Sequence, residues 1–187
     1  PRMLALTGEV ADGWLGTSFV PEGAQSSMDA LAEGAARSGR TLADLDLCQG
    51  AEVAFARDEA ELHEMLQRRK AGLAFSLGGM GSARTNFYNA AYARQGFADV
   101  AAESQALWLA GRRDAAASVI PDSMVMATTL LGTESQVADR LRVWEDTGIT
   151  QVRLYPAGET LDERLDTLGR ALDLVRGLES SRSWESK

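Results

Sequence analysis

The fold is decided by the stretch Gly8-Glu9-Val10-Ala11-Asp12-Gly13-Trp14-Leu15-Gly16-Thr17-Ser18-Phe19. It predicts the last turn of a helix, a tight turn at Asp12-Gly13 and then a buried strand, since glycine accepts φ > 0 and the aromatic residues supply apolar bulk. Thr17 and Ser18 fall at the carboxyl end of that strand, which faces the active site in α/β barrels. They are therefore candidate site residues; the alternative is that they only cap the next helix.

Composition bounds the class of protein. The chain has 187 residues, 45% hydrophobic and 25% charged, which predicts one soluble globular domain. A net charge of -8 argues against nucleic-acid binding. No apolar run is long enough to span a bilayer, and the start lacks a signal peptide, so we expect no membrane association and a cytoplasmic location. One Cys and one His make a zinc site of those residues implausible, and we expect no metal.

The hydrophobic pattern predicts an α/β fold with about three strands and helices between them. The strands are the opening one, 47–56 and 149–155. Asp58 is predicted to cap one long helix, and Thr133 with Gln136 forms a capping box that starts another. Several consecutive helices between about 86 and 120, the last of which comes before Pro121-Asp122, form an insertion before the last strand. From about residue 162, leucines spaced four and three apart predict an apolar helical seam.

Few residues in this pattern point to chemistry. Glu52 could face a site from its strand, although a strand-end or solvent-facing carboxylate is the commoner arrangement. The cluster 68–70 is most simply a solvated basic face. The Gly-rich stretch 76–82 lacks the Lys-Ser/Thr of a phosphate-binding loop and is predicted to be a flexible lid or connection. No nucleophile with a base and no carboxylate pair is visible, so the catalytic residues are unknown.

Further segments agree in order with a known family. They are Leu77-Gly78-Gly79-Met80-Gly81 followed by Asn86-Phe87-Tyr88, Ala115-Ala116 with Val119-Ile120-Pro121-Asp122, and Leu131-Gly132-Thr133 leading into Asp146-Thr147-Gly148-Ile149-Thr150. With the opening stretch, they resemble the luciferase-like monooxygenases, especially the branch that uses the deazaflavin coenzyme F420. The resemblance implies a (β/α)8 TIM barrel of which residues 1–178 form the C-terminal part, with a polar tail at 179–187. We therefore expect that the chain alone is not the functional folding unit.

The resemblance also implies an activity, which is hydride transfer between the deazaflavin and a small organic substrate. Backbone amides of Arg2 and Met3, in the first turn of a helix, would hold the cofactor phosphate, which suits the positive end of a helix. Thr17 and Ser18 would contact the substrate. An FMN-dependent monooxygenase is the alternative in the same superfamily, and a non-catalytic barrel fragment or accessory binding subunit is the alternative of another class. Family members often form homodimers.

One departure from the family narrows the substrate. The relative that oxidises glucose 6-phosphate has a phosphate-binding Lys where this sequence has Val20, and its later phosphate-binding Arg falls in 126–129, where no basic residue stands. We therefore expect an uncharged or weakly charged substrate.

Overall fold

The computed structural model describes the backbone of residues 2–82 and 84–185, and the side chains of 2–82 and 84–178. Within that part of the chain the strands are β1 (Gly13–Leu15), β2 (Asp46–Phe55), β3 (Leu130–Gly132) and β4 (Gln151–Pro156). The helices are α1 (Arg2–Val10), α2 (Gln25–Arg37), α3 (Glu59–Gly78), α4 (Phe87–Tyr92), α5 (Ala98–Leu109), α6 (Arg113–Ser118), α7 (Asp122–Thr128), α8 (Glu134–Glu145) and α9 (Leu161–Glu185). None of the described helices is long and apolar enough to cross a membrane.

The strands form one parallel sheet in which β2 is the partner of all the others. β1 pairs with the start of β2 and β3 with its end. They lie one after the other along the same edge, because β1 at Cys48 and β3 at Val53 each pair opposite β4. Gly16 N–H donates to the Cys48 carbonyl, and Ala56 N–H, eight residues further, donates to the Gly132 carbonyl. β4 pairs with the other edge, from Cys48 to Val53. The sheet thus has four strands, not the three predicted, and β3 is the addition.

Alternate residues of β2 meet two different environments. Leu47, Ala51 and Val53 are buried in a core shared with α2, α8 and α9. Cys48 and Glu52, on the opposite face, are only partly buried. Because neighbouring residues in register share a face, the exposed odd-numbered side chains of β4 lie beside them. We call this second side the open face of the sheet.

The predicted helical insertion is present between β2 and β3. Its helices, α3 to α7, build a second core in which Leu77, Ile120 and Met124 are fully buried. Pro121 is the N-cap of α7, a helix that was not predicted. One detail differs from the prediction. The Gly-rich stretch is helical as far as Gly78, where α3 ends, so the connection is shorter than expected.

The opening stretch folds differently from its prediction. Gly13 has no positive φ and begins β1 directly. Its lack of a side chain is required by a close approach, since a Cβ atom there would lie 2.4 Å from the Asp46 carbonyl oxygen. β1 ends at Leu15, which is exposed on the open face and not buried. α2 begins only at Gln25, so Thr17 and Ser18 do not cap it.

Two helices at the ends of the described chain expose apolar stripes. Met3, Leu6 and Val10 form one along α1, and Leu161 and Leu165 begin the other along α9. The leucine seam on α9 was predicted, but part of it faces solvent. The helix also continues through the predicted polar tail to Glu185; side chains from residue 179 onward and the whole of residues 186–187 lie outside the described residues. Such stripes have the spacing of core-facing surfaces.

Candidate functional site

A cavity of about 790 Å³ opens at the carboxyl end of β1. The first turn of α1, the loop that follows β1, the start of α2, and α4 of the insertion form its walls. Arg2, Met3, Thr17 and Ser18, the residues predicted from the sequence, all line this one cavity. Pockets of about 300–1,000 Å³ are the usual size for small ligands and cofactors. The structure therefore brings the predicted site residues together.

The α1 wall offers hydrogen-bond donors. α1 begins at Arg2, and the N–H groups of a helix's first turn have no partner inside the helix. No acidic side chain lies in that turn, so nothing there competes for the amides. The positive end of the helix dipole and these donors together favour an anion.

The loop after β1 is held from the insertion. Ser18 is the described non-glycine residue with a positive φ, 55°, a conformation that costs an L-residue energy. Gln95 fixes it at both ends: its Nε2 donates to the Ser18 carbonyl at 2.6 Å, and its Oε1 accepts from Val20 N–H at 2.8 Å. The Tyr92 phenol also lies at this loop, where the Ser18 side chain is one of the groups that lower its pKa. The strained loop is thus over-determined by neighbouring contacts, as is common at functional sites.

Tyr92 is the buried member of this group. Burial raises the pKa of its phenol, and the hydrogen bond with Ser18 and the charge of Arg69 offset part of that rise. The phenol is therefore neutral at physiological pH and can act as a hydrogen-bond donor or acceptor.

A smaller cavity of about 330 Å³ lies on the other side of Thr17 and Ser18, against the open face of the sheet. Its wall includes Glu52, whose carboxylate lies 3.1 Å from Arg69 Nε. The commoner arrangement would place Glu52 at a strand end or free in solvent, and the structure shows neither. Glu52 is half-buried in mid-strand and ion-paired.

The basic cluster 68–70 is also not a simple solvated face. Lys70 is buried and pairs with Asp122 at 2.7 Å. The hydrogen bond from Lys70 is the main cause that lowers the pKa of Asp122. Since Asp122 begins α7, this pair ties two helices of the insertion together.

Sequence reasoning did not single out Arg94 and Gln95, two polar residues that line the main cavity together with Phe87. All come from α4 and the π-helical turn after it, Ala93–Phe97. Their position could not be found locally, because it depends on how the insertion folds back onto β1. Val20, by contrast, is buried in the insertion core.

The sequence model of the luciferase-like monooxygenase family matches residues 1–151 of this chain. The chain belongs to this family. A mycobacterial relative (Mycobacterium tuberculosis), provisionally named a coenzyme F420-dependent oxidoreductase, is 36% identical over 154 residues, which is 81% of this chain and 44% of its own length. The 5,10-methylenetetrahydromethanopterin reductase of Methanolobus tindarius is 26% identical over 173 residues, 92% of this chain and 51% of its length. The luciferase-like chain described here thus spans about half the length of these curated relatives.

Two solved structures share the fold. The coenzyme F420-dependent tetrahydromethanopterin reductase of Methanopyrus kandleri superposes with a TM-score of 0.62 at 22% identity. An F420-dependent secondary alcohol dehydrogenase, solved with an F420–acetone adduct, gives 0.63 at 12% identity. Each comparison covers 94% of this chain and 46% of the other. The prediction of part of an α/β barrel is confirmed.

Proposed function

We propose that this luciferase-like chain carries part of the active site of a coenzyme F420-dependent oxidoreductase, which transfers hydride between the deazaflavin and an uncharged or weakly charged organic substrate. The observation that carries the proposal is the single cavity joining the start of α1 to Thr17 and Ser18. The F420 dependence of the named relatives supports the choice of cofactor. The single cysteine of this chain, Cys48, is free, which suits a reducing compartment such as the cytoplasm.

The residues of the cavity fit such a cofactor. Trp14 and Phe87 offer aromatic surface, and no carboxylate lines the cavity within the described chain. The amides of Arg2 and Met3 would hold the cofactor phosphate, and Thr17 would donate to or accept from the substrate. When bound, the deazaflavin supplies the hydride chemistry, and the protein orients it. Gln95 holds the loop by its hydrogen bonds to the Ser18 carbonyl and Val20 N–H, so the loop is ordered before a ligand arrives.

A fluorescence titration of the chain with coenzyme F420, with FMN as competitor, tests the proposal. We expect saturable binding that FMN does not displace. Displacement by FMN would favour a flavin monooxygenase, and no binding to either would contradict the proposal that this chain carries the cofactor site.

A matched pair of variants tests whether coenzyme F420 binds at the first turn of α1. Met3 and Val10 are both exposed on α1, at 72% and 69%, but only Met3 lines the cavity. Met3→Glu places a carboxylate where the phosphate would bind and should weaken F420 binding by about five- to tenfold, about 1 kcal/mol of repulsion in a largely solvated site. Val10→Glu should leave binding unchanged. A glutamate in the first turn also favours the helix, so unfolding cannot explain a loss caused by Met3→Glu.

A further inference from the structure

The main cavity contains two arginines from different elements. Arg2 enters from α1 and Arg94 from the π-helical turn after α4. No Asp or Glu lines this cavity. Within the described side chains, neither arginine forms an ion pair, a side-chain hydrogen bond or a contact over an aromatic ring.

Arg2 and Arg94 are both exposed, in a chain that has 27 acidic and 19 basic residues. Among the described side chains, nine arginines have a carboxylate or an aromatic ring as partner: Arg37, Arg57, Arg69, Arg113, Arg140, Arg142, Arg153, Arg170 and Arg176. Two unpaired guanidinium groups in one concave, acid-free site create a local positive potential in a protein of net charge -8.

We propose that Arg94, which lines the same cavity as Arg2, binds an anionic group of the ligand, a phosphate or a carboxylate. In so far as the ligand is the deazaflavin, the inference rests on the proposed function, because the phosphate-bearing side chain of the cofactor is one source of such a group. The other source is an anionic substrate, which would replace the uncharged or weakly charged substrate proposed above. A guanidinium suits either, since its planar fork donates to two oxygens at once.

The backbone next to Arg94 is fixed while its side chain is free. Gln95 donates to the carbonyls of Ser18 and Ala91 and accepts from Val20 N–H. Gly96, with φ 99°, then departs from helical geometry within the same turn. Arg94 thus lies on a segment of the insertion that is hydrogen-bonded to the loop after β1. Its guanidinium remains available to a ligand.

Three variants and three probes test the proposal. Arg94→Gln removes the charge and Arg94→Lys keeps it, while Arg112→Gln is the control, an exposed arginine of the insertion outside the cavity. The probes are pyrophosphate, coenzyme F420 and the deazaflavin without its phosphate side chain. We expect Arg94→Gln to weaken pyrophosphate and F420 binding about fivefold, as for one charge-assisted contact in a partly solvated site. Arg94→Lys should weaken pyrophosphate and F420 binding about twofold. Neither Arg94 variant should change binding of the truncated deazaflavin.

The other outcomes either refute the anion site or identify its ligand. If Arg112→Gln weakens binding as much as Arg94→Gln, or if the truncated deazaflavin is affected equally, the anion site is refuted. Failure of the wild-type chain to bind pyrophosphate also refutes it. If pyrophosphate binding depends on Arg94 but F420 is not bound, the anion site stands and its ligand is an anionic substrate. Both the proposed cofactor and the proposed uncharged substrate are then wrong.

Discussion

Replacement of Gln95 tests whether the insertion holds the site loop. Gln95→Ala leaves two backbone groups without partners, the Ser18 carbonyl and the Val20 N–H. Val20 is only 2% exposed, so water cannot easily replace the lost acceptor. A buried group left unsatisfied costs about 1–3 kcal/mol, and loss of the more exposed bond adds about 0.5–1.5 kcal/mol. We therefore expect the free energy of unfolding to fall by about 2–4 kcal/mol.

Urea unfolding followed by circular dichroism measures this change. Gln95→Glu should lie between the wild type and Gln95→Ala, because a carboxylate still accepts from Val20 N–H but faces the Ser18 carbonyl with an oxygen. Gln67→Ala is the control, since Gln67 is an exposed glutamine of the insertion with one long hydrogen bond of 3.3 Å to Asp122. Its effect should stay within about 0.5 kcal/mol. If Gln95→Ala costs no more than Gln67→Ala, the insertion does not secure the loop.

Three further predictions follow from particular contacts. Ser18→Val should be less stable in urea than Ser18→Gly by about 2–3 kcal/mol, because only glycine adopts φ 55° without cost; equal stabilities would contradict this. Since the folded pKa of Asp122 is lowered, the pair with Lys70 stabilises the chain at neutral pH, and this contribution disappears as the pH falls below about 4 through the folded pKa. Lys70→Met should therefore show a smaller loss of stability between pH 7 and pH 3 than the wild type, and an unchanged loss would refute the role of the pair. Leu165→Gln, at a side chain 56% exposed, should change stability by less than about 0.5 kcal/mol but reduce self-association in sedimentation, and an unaltered monomer–dimer ratio would exclude that stripe as a contact.

Local signals in the sequence were sufficient for much of the fold. Asp58 caps α3 by accepting from Glu61 N–H, as predicted. The capping box that starts α8 has both of its hydrogen bonds, between Thr133 and Gln136. β2 and β4 lie within two residues of their predicted bounds. Each of these features depends on residues close together in the chain, where pattern and structure are directly related.

Features set by distant contacts could not be predicted in the same way. β3 has only three residues and is a strand because the end of β2 offers it a partner. The space at Gly13 is limited by Asp46, a neighbour that only the folded sheet supplies. For the candidate site, the residues before and after β1 were predicted from the resemblance. Arg94 and Gln95 were not, because their role arises from the packing of the insertion against the loop.

The shared edge of β2 also bears on how the chain reaches its fold during synthesis. β1 precedes β2 and can pair with it early, but Cys48 also pairs with Gln151, about a hundred residues later. Parallel pairings at such a separation form slowly, because a long loop must close first. Until the ribosome has released β4, one whole edge of β2 has no strand beside it. The order of emergence therefore leaves β2 exposed to premature association while the chain is being made.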